Sequence, residues 1–387
     1  MPTNTRESGL EALIVNWLVE ENGYEHGNTA DYNKDYAVDE VRLFRFLEAT
    51  QPNQMEKLQT ATSDLKRRQF LDRLRGEIAK RGVIDVLRKG FKIYPVDLIM
   101  FYMTPSDKNA KAKADFEKNI FSVTRQLAYS KDNSKLALDM AIFINGLPVI
   151  TCELKNQLTK QDVEDAVYQY QNDRDPKELL FQFKRCMVHF AIDDARIKFC
   201  TKLDGKKSWF LPFDKGHNDG AGNPPNPNGI MTDYLWKETF TKNQLANIIE
   251  NYAQVLEEKD EDTGKISYKQ IFPRYHQLSA VNSLLADVKK NGMGHKLMSL
   301  LTADDIVVTQ DFGLAAMVLG KGAQVFNQNG LVFTNENIDK LLMERHIGAK
   351  VRRGGGRTKG PAKRTKEDNE KFETVFVKLL DLGVRNG

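Results

Sequence analysis

The chain has 387 residues, 41% of them hydrophobic, and a formal charge of +4, which excludes a disordered chain and a fibrous protein. At roughly 100 to 200 residues per domain, this length predicts two or three domains. The excess of basic residues is small, so the charge permits a polyanionic partner without requiring one.

The composition also bears on location. No stretch reaches the roughly 20 apolar residues that span a bilayer, and the start MPTNTRESG lacks the basic and apolar regions of a signal peptide. We therefore expect a cytoplasmic protein with no membrane partner. Cys152, Cys186 and Cys200 form no CxxC pair, so buried, reduced thiols are expected.

The first 90 residues are predicted to be mostly helical. Apolar residues from Leu10 to Leu18 recur at helical spacing, and Ser8 with Glu11 has the spacing of a capping box. A second helical region, 63–89, is rich in Leu, Arg, Lys and Glu. Its charges are interpreted as a solvated face.

From residue 91 onward the pattern indicates strands, interrupted by one helix. Strands are expected at 95–103, 119–128, 136–144, 148–155, 185–192, 196–202 and 208–213. The interrupting helix buries Val163, Ala166, Val167 and Tyr170. A further helix is expected at 241–257, and the charged run EEKDEDTGK that follows is interpreted as a linker.

The last ninety residues predict a βαβα segment. Its strands are expected at 305–309 and 323–326, and its helices at 312–319 and 336–345. The tail at 345–366 holds nine Lys or Arg residues and no acid. It is interpreted as solvated, with contact to nucleic acid as the alternative.

These elements predict a mixed α/β chain with four parts. They are a helical part at 1–90, a core at 91–256, a linker region at 257–299 and a C-terminal segment at 300–387.

The segment LALDMAIFINGLPVITCELKN carries the clearest chemistry. Two carboxylates on adjacent strands, Asp139 and Glu153, can hold Mg²⁺ through oxygen ligands, and Lys155 emerges on the same strand face as Glu153. A bound cation would polarise a phosphodiester and lower the pKa of a water molecule, while Lys155 would steady the attacking water or the developing charge. The spacing predicts phosphodiester cleavage. The alternative is an ordinary hairpin with charges that face solvent.

The register of this hairpin decides between the two interpretations. A two-residue turn at Asn145-Gly146 would pair Asp139 with Cys152 and direct Glu153 to the opposite face. A three-residue connection or a β-bulge would instead place Asp139 opposite Glu153. We predict the offset register.

Several linked segments resemble the N-terminal region of the motor and restriction (HsdR-type) subunit of type I restriction enzymes, over residues 8–296. They are SVTRQLAYS, LALDMAIFINGLPVITCELKN, YQYQNDRDP, FKRCMVHFAIDD, FLPFDKGHNDGAGNPPNPNG and IFPRYHQL. The resemblance implies a PD-(D/E)xK restriction-endonuclease-like core in which Asp139, Glu153 and Lys155 are catalytic and the two acids bind Mg²⁺. Leu138 stands where the motif name has proline.

The same resemblance implies supporting residues and partners. A glutamate of the first helix often lies near the metal in such nucleases, which indicates Glu11, with its capping-box role as the alternative. Gln169 is the nearest match to a Gln-x-x-x-Tyr motif, although Asp173 occupies the tyrosine position. The implied partners are double-stranded DNA and the modification and specificity subunits, and another subunit recognises the target sequence.

The family also continues into an ATP-driven translocase. Arg274 and Gln277 resemble its R-x-x-Q element, which contacts adenine just before a phosphate loop. The sequence that follows contains no G-x-x-x-x-G-K-[ST], so we expect neither a motor nor ATP binding. Gln277 is then interpreted as a surface or packing residue.

Residues 300–383 resemble the C-terminal half of a second bacterial family, the YaiI/YqxD type, which is thought to be PIN-like. Asp305 and Asp311 fit positions where such a nuclease could use carboxylates, with a helix N-cap as the alternative for Asp311. That family opens with a D-A-D-A-C-P strand, which this sequence lacks. A second working active site is therefore not expected.

The two resemblances predict a Mg²⁺-dependent DNA endonuclease of a type I restriction subunit that lacks its translocase. The alternatives are a non-catalytic remnant, a nucleic-acid-binding fragment, or a PIN-like RNase. Gene rearrangement, recombination or an assembly error would each join two families in this way.

Overall fold

The computed structural model describes residues 7–105, 109–133, 135–156, 160–218, 220–260, 264, 266–291, 301–341, 343 and 365–384. They form two compact units, residues 1–278 and 279–387. Both units mix helices with strands, so the predicted mixed α/β class is confirmed.

The helices of the first unit are α1 (Glu7–Glu20), α2 (Glu40–Thr50), α3 (Pro52–Leu58), α4 (Asp64–Arg81), α5 (Val83–Lys89), α6 (Ala110–Phe116), α7 (Val163–Asn172), α8 (Lys242–Asn247) and α9 (Tyr275–Asn291), the last of which continues into the second unit. Its strands are β1 (Glu25–His26), β2 (Tyr32–Asn33), β3 (Val38–Asp39), β4 (Phe91–Ile93), β5 (Val96–Leu98), β6 (Phe121–Ala128), β7 (Ala137–Ile144), β8 (Leu147–Leu154), β9 (Val188–Ile192), β10 (Ile197–Cys200), β11 (Leu211–Pro212), β12 (Gln254–Lys259) and β13 (Ile266–Ile271).

A seven-stranded mixed sheet organises the first unit, in the order β1-β6-β7-β8-β9-β10-β11. Strands β6, β7 and β8 form an antiparallel meander, whereas β9 lies parallel to β8. A parallel neighbour requires a crossover, and α7 lies within the connection from β8 to β9. The helix begins with a capping box between Asp162 and Asp165.

The two faces of this sheet are covered by different helices. Met140 and Ile142 of β7 pack in one buried cluster with Ile14 of α1. The alternate residues, such as Phe143, belong to a second cluster that includes Tyr170 of α7. Since successive strand residues point to opposite faces, α1 and α7 cover the two sides of the meander.

The helical N-terminal region is confirmed, with one correction. Helix α1 already includes Ser8, so Ser8 is not an N-cap and the predicted capping box is wrong. The region 63–89 forms α4 and α5, separated by Gly82. The three cysteines are buried and free.

A two-stranded hairpin, β12–β13, includes the end of the predicted helix at 241–257 and the first residues of the predicted linker, up to Lys259. The helical path ends with a π-helical turn at Ile248–Tyr252, and β12 begins at Gln254. The first three residues of the charged run belong to β12, whose exposed positions suit charged side chains, and residues 261–263 and 265 of the run lie outside the described residues.

Gln270 holds this hairpin against the central sheet. Its buried amide Nε2 donates to the carbonyl oxygens of Cys186 and Met187, at 2.8 Å each. We expect Gln270→Ala to lower the free energy of unfolding by about 1 to 3 kcal/mol, because both carbonyls lose a buried donor. Urea denaturation measures the change, and Lys269→Ala, at an exposed neighbour, serves as the control. Equal midpoints for the two variants would contradict this role.

The second unit contains a small mixed sheet. Its elements are β14 (Ile306–Val308), α10 (Phe312–Gly320), β15 (Gln324–Phe326), β16 (Val332–Phe333) and α11 (Lys366–Val384). β14 and β15 are parallel and joined through α10, which confirms the predicted strand-helix-strand order. The predicted helix at 336–345 is helical at 338–341, and its end lies outside the described residues, as does the basic tail up to residue 364.

Candidate active site

The hairpin β7–β8 has the predicted offset register. Asn145 and Gly146 form a two-residue turn with φ of 50° and 80°, and Ile144 pairs with Leu147 across it. A shift between Ile142 and Phe143 leaves Val149 as an extra residue in β8, which is a β-bulge. Beyond the bulge Met140 pairs with Cys152, so the same register places Asp139 opposite Glu153.

Gly146 is required at this turn because its backbone conformation is left-handed and its surroundings are tight. A Cβ atom there would lie 2.5 Å from the carbonyl oxygen of Asp39, ahead of α2. The carbonyl of Gly146 also accepts a hydrogen bond from the Asp39 N–H, at 2.8 Å. The turn end of the hairpin is therefore fixed to the helical region, and the carboxylates lie at its other end.

The two strands separate where the acids lie. Regular pairing ends at Met140 and Cys152, and Asp139 Oδ2 instead accepts a hydrogen bond from the Leu154 N–H at 2.8 Å. Lys155 follows β8 directly and is 8% exposed. Its backbone N–H donates a hydrogen bond to the carbonyl of Ile192 on β9. Lys155 thus continues the strand and lies on the same face as Glu153, two residues earlier.

Glu153 is fully buried and has an unusual electrostatic environment. The pKa of its carboxyl is raised to about 8, because burial and, to a smaller extent, the negative charge of Asp139 raise it more than the ion pair with Arg174 lowers it. With Glu153 ionised, its Oε2 has no hydrogen-bond donor among the described residues.

Arg174 is the partner of Glu153 that the sequence did not indicate. It follows α7 and is 5% exposed, and its Nε lies 2.5 Å from Glu153 Oε1. Its Nη2 donates to the carbonyl of Ala137 on β7 at 2.9 Å, and its Nη1 lies 3.4 Å from the Tyr129 hydroxyl. The only sequence signal was its place in the segment YQYQNDRDP.

A buried network of hydrogen-bonded side chains is centred on Thr151, two residues before Glu153 on β8. Thr151 Oγ1 lies 2.9 Å from the Tyr170 hydroxyl and 2.7 Å from His189 Nδ1. Burial lowers the pKa of His189 to about 3, so its imidazole is neutral in the folded protein at physiological pH. This network joins α7, β8 and β9 next to the strand position of Glu153.

We expect His189 to make the protein sensitive to acid. The unfolded chain binds a proton at this residue below a pH of about 6.5, whereas the folded protein resists protonation until about pH 3. The stabilising contribution of His189 is complete above about pH 6.5 and is lost as the pH falls toward 3, by about 1.4 kcal/mol for each unit.

Urea denaturation between pH 4 and 7 measures this slope, with His189→Asn as the comparison. The variant should be less stable, yet its free energy of unfolding should change less with pH. An unchanged slope would show that other groups cause the acid sensitivity.

The two supporting residues predicted from the sequence differ in their surroundings. Glu11 is buried, and it accepts hydrogen bonds from Arg125 Nε at 2.8 Å and Gln126 Nε2 at 3.3 Å. Gln126 lies between the pairs Arg125–Met140 and Leu127–Leu138, opposite Asp139. Glu11 therefore reaches the strand beside the acids, and its role at a metal remains a prediction.

Gln169 lies on α7 next to Tyr170, and its buried Oε1 has no hydrogen-bond donor among the described residues. Gln277 has a local role instead. Its Oε1 accepts a hydrogen bond from the Arg274 N–H at 3.0 Å, at the start of α9. Gln277 is exposed, which agrees with its interpretation as a surface or packing residue.

In the second unit, Asp305 and Asp311 both take part in local hydrogen bonds. Asp305 Oδ2 accepts from the N–H and hydroxyl of Thr302, at 2.8 and 2.9 Å. Asp311 Oδ1 accepts from the N–H groups of Gly313 and Leu314, which makes it the N-cap of α10. The alternative given for Asp311 is confirmed.

The acids of the first unit suit a cation. Among the described residues there is no group of three or more His, Cys, Asp and Glu side chains that could hold a metal, and Asp139 and Glu153 are a pair. Mg²⁺ commonly takes one or two carboxylates and keeps several waters. Glu153 Oε2, buried without a donor beside a second acid, is the kind of oxygen that a cation would stabilise.

The fold and the site define the class: a mixed α/β protein with a carboxylate pair and a lysine at the open end of a central hairpin. The chain belongs to the family described as type I restriction enzyme R protein N terminus, whose model matches residues 4–208. Residues 255–382 match a second family, described as uncharacterized BCR, YaiI/YqxD family. Both resemblances seen in the sequence are thereby confirmed.

Curated relatives match the C-terminal part. A UPF0178 protein of Ruminiclostridium cellulolyticum is 49% identical over 106 residues, covering 27% of this chain and 69% of the relative. One from Exiguobacterium sibiricum is 52% identical, covering 23% of this chain and 65% of the relative, and one from Clostridium acetobutylicum is 47% identical, covering 27% and 74%. In the part of the chain that the structure describes, no helix is long and apolar enough to cross a membrane.

Proposed function

We propose that the first unit is a Mg²⁺-dependent DNA endonuclease domain of PD-(D/E)xK type. The observation that carries the proposal is the offset register, which brings Asp139 opposite Glu153 with Lys155 two residues further on. A nuclease of this class needs two oxygen ligands and a nearby cationic side chain on one face. The membership of the family of type I restriction enzyme R proteins supports the same reaction and double-stranded DNA as the substrate.

Each residue then has a distinct role. Asp139 and Glu153 would hold the cation, which when bound supplies polarisation of the scissile phosphate and a water of lowered pKa. Lys155 would donate hydrogen bonds to the attacking water or to the charge that develops on phosphorus-bound oxygen. Arg174 holds the Glu153 carboxylate in place through their buried ion pair.

We propose that another subunit recognises the target sequence and that this chain does not translocate DNA. We propose that modification and specificity subunits of a restriction complex deliver the DNA, since the family match is to the R protein. ATP is not expected to bind, because the sequence has no phosphate loop.

Cleavage of supercoiled plasmid by the purified chain tests the proposal. With Mg²⁺ we expect nicked and linear products, and with EDTA none. Asp139→Ala should remove the activity, because one of two cation ligands is lost. If the parent and Asp139→Ala release the same products, the proposal fails and the non-catalytic alternative is favoured. Cleavage of RNA that survives Asp139→Ala would point to the PIN-like alternative in the second unit.

A further inference from the structure

We propose that Arg174 is a positioning residue that holds Oε1 of Glu153 and leaves Oε2 directed at the site for a divalent cation. This inference rests on the proposed function of Asp139 and Glu153 as cation ligands.

The contacts of Arg174 fix it to the strand that carries the other acid. Its Nε binds Glu153 Oε1 at 2.5 Å, while its Nη2 binds the carbonyl of Ala137, two residues before Asp139, at 2.9 Å. The planar guanidinium fixes the angle between these two hydrogen bonds, whereas the flexible ammonium group of a lysine would not. Arg174 therefore sets the orientation of the Glu153 carboxylate relative to β7.

The two oxygens of Glu153 are consequently unequal. Oε1 is satisfied by Arg174, whereas Oε2 is buried without a donor among the described residues. Leaving a buried oxygen unpaired is costly, so a native structure that does so usually has a ligand for it. The Leu154 N–H holds one oxygen of Asp139 in a comparable way.

Arg174 also opposes the cation electrostatically, because a fixed positive charge lies on a ligand that the cation must share. Its removal should therefore have two opposite effects. Divalent cations should bind more tightly, by about tenfold, since one unit charge no longer repels them. Cleavage should become slower by about 10 to 10² fold, since a displaced ligand misplaces the reacting groups.

Calorimetric titration with Mn²⁺ and thermal unfolding with and without Mn²⁺ provide readouts that need no cleavage. Without metal, Arg174→Gln should lower the unfolding midpoint by about 6 to 15 °C, because a buried carboxylate loses its counter-ion. The double variant Glu153→Gln/Arg174→Gln should recover much of this loss. At saturating Mn²⁺ the midpoint of Arg174→Gln should rise further than that of the parent, by the increment that a tenfold tighter affinity adds.

Two further variants separate positioning from general stability. Arg174→Lys keeps the charge but cannot bond Glu153 and Ala137 together, so we expect parental Mn²⁺ affinity with slower cleavage. Arg42→Gln breaks a comparably buried ion pair, Arg42–Asp39 at 2.7 Å, which lies at the turn end of the hairpin, opposite the end that carries the acids. It should lower the midpoint without changing the response to Mn²⁺.

The outcomes are distinguishable. If Arg174→Gln responds to Mn²⁺ as the parent does, Arg174 is a structural arginine and the inference is overturned. If neither protein binds Mn²⁺, it is overturned as well. If Mn²⁺ binds as expected but the parent does not cut DNA, the inference stands and the proposed nuclease function fails. Should Arg174→Gln not fold, Arg174→Lys decides through its cleavage rate: slower cleavage with parental Mn²⁺ affinity supports the inference, and cleavage at the parental rate overturns it.

Discussion

Replacing Lys155 with alanine is expected to slow DNA cleavage by about 10² to 10³ fold while cation binding stays close to that of the parent. The ammonium group carries no ligand oxygen, so its loss leaves Asp139 and Glu153 able to hold Mg²⁺. An interaction made mainly in the transition state lowers turnover without a comparable change in affinity. Lys155 is suited to such an interaction because its side chain is 8% exposed and lies on the same face of the strand as Glu153.

Single-turnover cleavage and calorimetric Mg²⁺ titration measure the two quantities separately. Lys160→Ala is the matched control, since this lysine is exposed and follows on the same connection toward α7. If Lys155→Ala cuts at the parental rate, Lys155 is a packing residue and its catalytic assignment fails.

Replacing Glu153 with alanine should have the largest combined effect. Cleavage and Mg²⁺ affinity should both fall, because an oxygen ligand is lost. The free energy of unfolding should also fall by about 3 to 5 kcal/mol, because Arg174 is left charged and buried without its acid. Single-turnover cleavage, Mg²⁺ titration and urea denaturation of the same preparation measure the three changes.

Glu153→Gln provides the comparison. Glutamine keeps an acceptor for Arg174, so its cost in stability should be smaller, while cleavage should remain absent. A Glu153→Ala variant as stable as the parent would show that the ion pair with Arg174 contributes little. Retained Mg²⁺ affinity in both variants would mean that the cation binds elsewhere.

The strands and helices around the site follow closely from local patterns. The expected strands at 136–144 and 148–155 are β7 and β8, within one residue at each end, because alternating β-branched and apolar residues flank an Asn-Gly turn. The offset register was also expected, although the sequence does not show which device provides it. The extra residue, Val149, is apolar like its neighbours, so nothing local marks it as bulged.

The partners of the acidic residues could not be predicted in the same way. Arg174 is one of many basic residues, and only the path of α7 across the sheet brings it to Glu153. Glu11 was expected to pair with Ser8 or to approach a metal. It binds Arg125 and Gln126 of β6, contacts that the sequence did not indicate, and its role at a metal stays a prediction. Such contacts depend on tertiary packing between residues more than 20 apart in sequence, for which a single sequence carries no periodic signal.

The bulge in β8 makes the hairpin unequally tolerant of changes in chain length. If one residue between Val149 and Cys152 is deleted, regular pairing can replace the bulge, and Asp139 stays opposite Glu153. If one residue is inserted there, a second irregularity must absorb it, or Glu153 turns to the face that α1 covers. Among relatives of this hairpin, shortened versions should therefore keep the carboxylate pair more often than lengthened ones.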